Sequence, residues 1–105
     1  MIRAVFERKN GRLCGVTITG HAEYADPGED IVCAAVSSAV QYATILITES
    51  FGEKDRETQR KNLIAVRLTH PEQGQSALVL DGLYQHLQFL SEDYPGTIEI
   101  DFTEV

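Results

Sequence analysis

A chain of 105 residues has the size of one domain, able to bury a core without disulfides or metals. Its 16 Asp and Glu against 9 Lys and Arg give a formal net charge of −7, which excludes a general nucleic-acid binder, since phosphate contact needs clustered cations; a basic protein partner suits the charge better. The two cysteines, Cys14 and Cys33, and the lack of a charged start leading into an apolar leader point to a reducing cytoplasm rather than a secreted disulfide framework.

Ile2 to Lys9 alternates with Ile2, Ala4 and Phe6 on one face. Asn10-Gly11 has the composition of a type I′ turn, and Arg12 to Thr19 resumes the alternation, so a hairpin is predicted. In that register Cys14 faces the same way as Val16 and Ile18 and reads as a small buried hydrophobe. From Asp30 the period changes. Val32, Val36, Ala39, Val40, Ala43 and Ile47 make a helical stripe, with Asp30 placed as N-cap and Cys33 as the N3 residue. Ile31, Ala35, Tyr42, Ile45 and Leu46 make this helix apolar on further sides, which predicts that a second copy of the chain covers part of it in a homodimer. Ser37, Ser38, Gln41 and Thr44 interrupt the apolar stretch Ile31 to Ile47, so it is expected to fall short of a membrane span.

Gly52 to Asn62 has no apolar residue and reads as an exposed connection, at most with a charged turn of helix. Leu63 to Thr69 is a predicted strand stopped by His70-Pro71. Ala77, Leu80, Leu83, Tyr84, Leu87, Leu90 and Tyr94 recur at helical spacing, predicting a second helix from about Gln75 to Asp93 that ends before Pro95-Gly96. Thr97 to Val105 alternates through Ile98, Ile100 and Phe102, as a strand with one wet face does. The expectation is a two-layer α+β domain of order ββαβαβ, with a mostly antiparallel or mixed sheet and both helices on one face.

The chemistry gathers at the second strand's end and the first helix's start. His21 precedes Cys33 by twelve positions across a segment holding Pro27 and Gly28, so strand end and helix start can approach each other. A cysteine in a first helical turn meets unpaired N–H groups and the positive end of the helix dipole, both of which favour thiolate. With an imidazole beside it, such a thiolate attacks a carbonyl and the imidazolium protonates the leaving amine. Asp30 reads first as a cap that steadies the backbone at Cys33, and Ser37, four residues on, shares its helical face. His70 and His86 have no ligand spacing with His21 or Cys33, and neither C-x-x-C nor a phosphate-binding glycine motif occurs, so no metal or cofactor is expected.

Gly20-His21-Ala22, followed by Gly28-Glu29-Asp30-Ile31-Val32-Cys33-Ala34-Ala35-Val36-Ser37, closely resembles the ribosomal-processing cysteine proteases called Prp. The resemblance implies a homodimeric cysteine endopeptidase that removes the N-terminal extension of large ribosomal subunit protein twenty-seven during ribosome assembly. By matched position, Cys33 would be the nucleophile and His21 the general acid and base, with Asp30 and Ser37 in support. Ala22 to Glu29, including Gly28, would be the loop that covers the bound peptide. Neither a membrane nor direct nucleic-acid binding is implied. A second reading is a non-enzymatic ribosome-assembly or ribosomal-protein-binding module that uses the acidic surface, and a third is a redox-sensing thiol at Cys33.

Overall fold

The computed structural model describes residues 1–20 and 27–105, with the side chains of residues 27–30 left out of the description. Among the described residues the order is β1 (Ile2–Lys9), β2 (Arg12–Gly20), α1 (Pro27–Ile45), β3 (Asp55–Arg60), β4 (Leu63–Leu68), α2 (Ser76–Asp93) and β5 (Ile98–Glu104). The five strands form one sheet in the order β3-β4-β2-β1-β5. β1 and β5 are parallel and the other neighbours antiparallel, so the sheet is mixed. Asn10 and Gly11 both have positive φ, 52° and 78°, as a type I′ turn requires.

The predicted faces are the observed ones. Ile2, Ala4 and Phe6 of β1, Val16 and Ile18 of β2, Val66 and Leu68 of β4 and Ile98 of β5 are buried on one side of the sheet. They meet Val32, Val36, Val40 and Ala43 of α1, Ile47 of the π-type turn that extends it, and Ala77, Leu80, Leu83 and Leu87 of α2 in one core. Both helices therefore cover the same face. Tyr84 and Phe102 close the β5 end against Phe6, with ring centroids 4.9 Å apart from each other and 5.6 Å and 6.0 Å from Phe6.

The opposite face is wet and held by ions. Glu7, Gly15 and Arg67 stand in register across β1, β2 and β4. Arg67 donates two hydrogen bonds to the Glu7 carboxylate, at 2.8 and 3.0 Å, above Gly15. A Cβ on Gly15 would lie 2.7 Å from Glu7 Oε1, so glycine is what lets the pair bridge the intervening strand.

Four local readings are corrected. First, Asp55–Arg60 is a strand, not a loop, so the order is ββαββαβ. Hydrophobic alternation misses an edge strand without a single apolar residue. Second, α1 starts at Pro27, where the missing N–H costs nothing, so Asp30 lies inside the helix and is not its N-cap. Third, the register shift beyond Glu7 pairs Arg8 with Leu13 and leaves Cys14 as a bulge residue, so Leu13 rather than Cys14 continues the core face with Val16 and Ile18. Cys14 is still buried, with its thiol 3.5 Å from the Glu7 carbonyl oxygen. Fourth, α1 runs on into a π-type turn, Leu46–Ser50, and the 20-residue span Ile31–Ser50 is long and apolar enough by composition to cross a membrane, with a mean hydropathy of 1.8 in its 18-residue window. Its buried stripe packs on the sheet as the central helix of the core.

Candidate active site

The second strand ends at Gly20 for a local reason. Its φ is +102°, and an added Cβ would collide with the Met1 carbonyl oxygen. Gly20 donates its N–H to the Asn62 carbonyl at 3.2 Å, tying the end of β2 to the turn between β3 and β4. Asn62 itself has a positive φ of 64°, which an asparagine tolerates in a tight turn. This junction faces the second turn of α1.

Between them lies a cleft of about 240 Å³ lined by Ile2, Ile18 and Gly20 from the sheet, Cys33, Val36 and Ser37 from α1, and Gln59, Arg60, Asn62, Leu63 and Ile64 from the β3–β4 hairpin. Cys33 is half-buried and packs against the edge of the core. Ser37 is exposed and shares the same wall, as the four-residue spacing predicts. The glycine that precedes His21 thus opens onto the thiol-bearing cleft. His21 and Ala22 lie outside the described residues, as do the side chains of Gly28, Glu29 and Asp30.

The helix start changes the electrostatics at Cys33. With Pro27 first, the helix amides without an intrahelical partner are those of Gly28 and Glu29, while Cys33 is in the second turn. The dipole effect fades within the first turn, so helix position alone activates this thiol less than a first-turn placement would. The other cysteine is set for inertness: burial first, and then the Glu7 charge, push the Cys14 thiol above its ordinary range.

Sequence reasoning missed Gln59, Arg60 and Asn62, which belong to the segment read as a loop. A signal was present in charge rather than hydropathy. In Asp55-Arg56-Glu57-Thr58-Gln59-Arg60, acids and an amide alternate with arginines and a threonine, the period of a strand.

A half-buried thiol in a cleft at the end of a mixed five-stranded sheet is the arrangement that a small α+β cysteine peptidase would use. The sequence profile described as "Cysteine protease Prp" matches residues 1–99, and the chain belongs to that family. No curated protein sequence matches it significantly. The fold is that of the ribosomal processing protease Prp from S. aureus, solved in complex with a substrate peptide: TM-score 0.90 at 22% identity, covering 98% of this chain and 100% of that one. The same S. aureus protease with a covalently linked product peptide gives a TM-score of 0.87 at 23% identity, over 98% and 100% of the two chains. SMU.848 from Streptococcus mutans is similar at a TM-score of 0.79 and 24% identity, over 100% and 99%.

Proposed function

We propose that this peptidase removes the N-terminal extension of large ribosomal subunit protein twenty-seven during ribosome assembly, with Cys33 as nucleophile and His21 as general acid and base. The observation that carries the reading is the placement of Cys33 in a cleft closed on its far side by the β2 end that leads to His21. Cys33 Sγ, as thiolate, attacks the scissile carbonyl; the His21 imidazolium protonates the departing amine, leaving a thioester. Neutral His21 then takes a proton from water, the hydroxyl adds to the thioester, and thiolate and carboxylic acid part. Because Cys33 sits beyond the first helical turn, activating its thiol falls chiefly to His21.

Asp30 supports the helix start from inside it rather than as a cap, and Ser37 orients substrate or thiol from the next turn of the same wall. Of the segment Ala22 to Glu29 assigned to covering the peptide, Gly28 and Glu29 belong to the first turn of α1, and Ala22 lies outside the described residues. The enzyme works in the cytoplasm as a homodimer. Ile31, Tyr42 and Leu78 support the second copy, since each stays about 60% exposed in the single chain.

The test is cleavage of the purified precursor, read as the mass of its N-terminus. Wild type shortens it, while Cys33→Ala and His21→Ala leave it intact. Cutting by the Cys33→Ala protein sinks the assignment. A precursor that is bound without being cut by wild type would instead favour the non-enzymatic assembly module.

A further inference from the structure

The Cys33 cleft does not end at Ser37. It opens into a groove of about 700 Å³ between α1 and β3, with Ser37, Gln59 and Ile64 common to both. Ile64 and Val66 form an apolar floor, Thr44 and Thr48 stand on the helix wall, and Glu57 stands on the strand wall. The register explains the chemistry of that wall. Glu57 and Gln59 pair with Val66 and Ile64, so they occupy positions that face the helices, where every other strand presents apolar side chains. Both side chains are exposed along the groove, where a ligand can meet them.

The groove is acidic. Glu49 and Glu57 line it, with no lysine or arginine among its described lining residues. Next along the same face of β3, Asp55 Oδ2 is buried without a hydrogen-bond partner among the described residues. Burial first, and then the hydrogen bond and charge of the adjacent Glu57 carboxyl, push the Asp55 carboxyl up to about 6.

We propose that this groove holds one arm of the substrate in extended form and that Glu57 selects a lysine or arginine side chain two to four residues from the scissile bond. The spacing follows from strand geometry. Gln59 borders the thiol cleft and Glu57 lies two residues along, about 7 Å away, which is also two residues of an extended peptide running beside β3. The alternating geometry then turns one apolar side chain toward Ile64 and Val66 and the basic one toward Glu57. The inference rests on the peptidase reading and deepens it from a cysteine peptidase to one with a basic-residue subsite.

The experiment measures kcat/KM on fluorogenic peptides spanning the extension junction of the ribosomal-protein precursor, with Lys or Glu placed two, three or four residues from the scissile bond on either side. Wild type should favour Lys over Glu by about ten-fold or more at one of these positions, and Glu57→Lys should reverse that preference there while still cutting. Should Glu57→Lys fail to fold, Thr44→Arg places a cation in the same stretch from the opposite wall and should weaken the Lys preference in the same direction. A folded Glu57→Lys or Thr44→Arg enzyme that cuts with the wild-type preference overturns the subsite. If wild type cuts none of the peptides, the peptidase reading itself has failed, and the subsite with it.

Discussion

The two flanks of α1 are built for different work. Toward β3 the helix borders a groove walled by Thr44, Thr48 and Glu57 that runs into the Cys33 cleft. Toward α2 it borders a larger groove, about 890 Å³, whose lining includes Tyr42, Leu46, Phe51, Leu78, Val79 and Leu90. One flank offers hydrogen-bonding groups in reach of a thiol; the other offers mainly apolar surface, with Ser38, Gln75 and His86 in its lining. A single helix can serve both because its buried stripe of Val32, Val36, Val40, Ala43 and Ile47 takes the third side, against the sheet. The excess of apolar residues that made this helix look too greasy for a surface element is thus divided among the core and both flanks, Tyr42 and Leu46 toward α2 and Ile45 toward β3.

The comparison can be broken from its centre outward. Ile47→Ala, at the buried stripe common to both flanks, should cost about 2 to 5 kcal/mol in chemical denaturation and impair both flanks together. Gly20→Ala should act on one flank only. Its positive φ and the crowding by Met1 shift the end of β2, so cleavage is expected to fall at least about ten-fold while the sedimentation coefficient stays unchanged. Leu78→Glu tests the other flank, since a charge at this exposed apolar position should move the protein toward the single-chain species in sedimentation, with little loss of folded stability. If Leu78→Glu leaves the association state as in wild type, the α2 flank does not hold the proposed second copy.

The smallest expected effect concerns the polar flank and pH. Asp55 holds its proton up to about 6 when folded, above its ordinary value of 3.8, so the folded state binds more protons between these limits. Stability is therefore greater below this window and is lost as pH rises through it. Water reaches the strand edge, which reduces the effect to about 1 kcal/mol. Asp55→Asn should gain that amount at neutral pH and flatten the stability profile between pH 4 and 6; a profile unchanged from wild type would show that the crowding at Asp55 has no thermodynamic weight.

Much of this arrangement was legible in the sequence, for identifiable reasons. The hairpin, the α1 stripe, α2 and β5 each carry an apolar period that matches one buried face, and that is the signal such reading relies on. β3 was invisible because its pattern is written in charge, on a strand with a free edge and a polar inner face. Its loss carried away the hairpin wall of the active-site cleft. The pairing of Cys33 with Ser37 followed from helical spacing, whereas the depth of Cys33 within α1 did not, because Asp30 offers as good a capping signal as the true start three residues earlier. The Cys14 bulge also left no mark, since an extra residue in one strand only shows against its partner.

The start of α2 has no capping side chain of its own at Gln75. Instead Glu53, from the chain leaving the end of α1, accepts the N–H groups of Gln75 and Ser76 at 2.7 and 3.2 Å and the Ser76 hydroxyl, and these bonds hold its carboxyl below the ordinary range. The donors are more than twenty residues distant in sequence, so the first turn of α2 is completed only once the far end of α1 has arrived. A segment comprising α2 alone would fray there. The consequence is coupling: the first turn of α2 gains its full order together with the chain that leaves α1, and the two helices that cover the sheet reinforce one another.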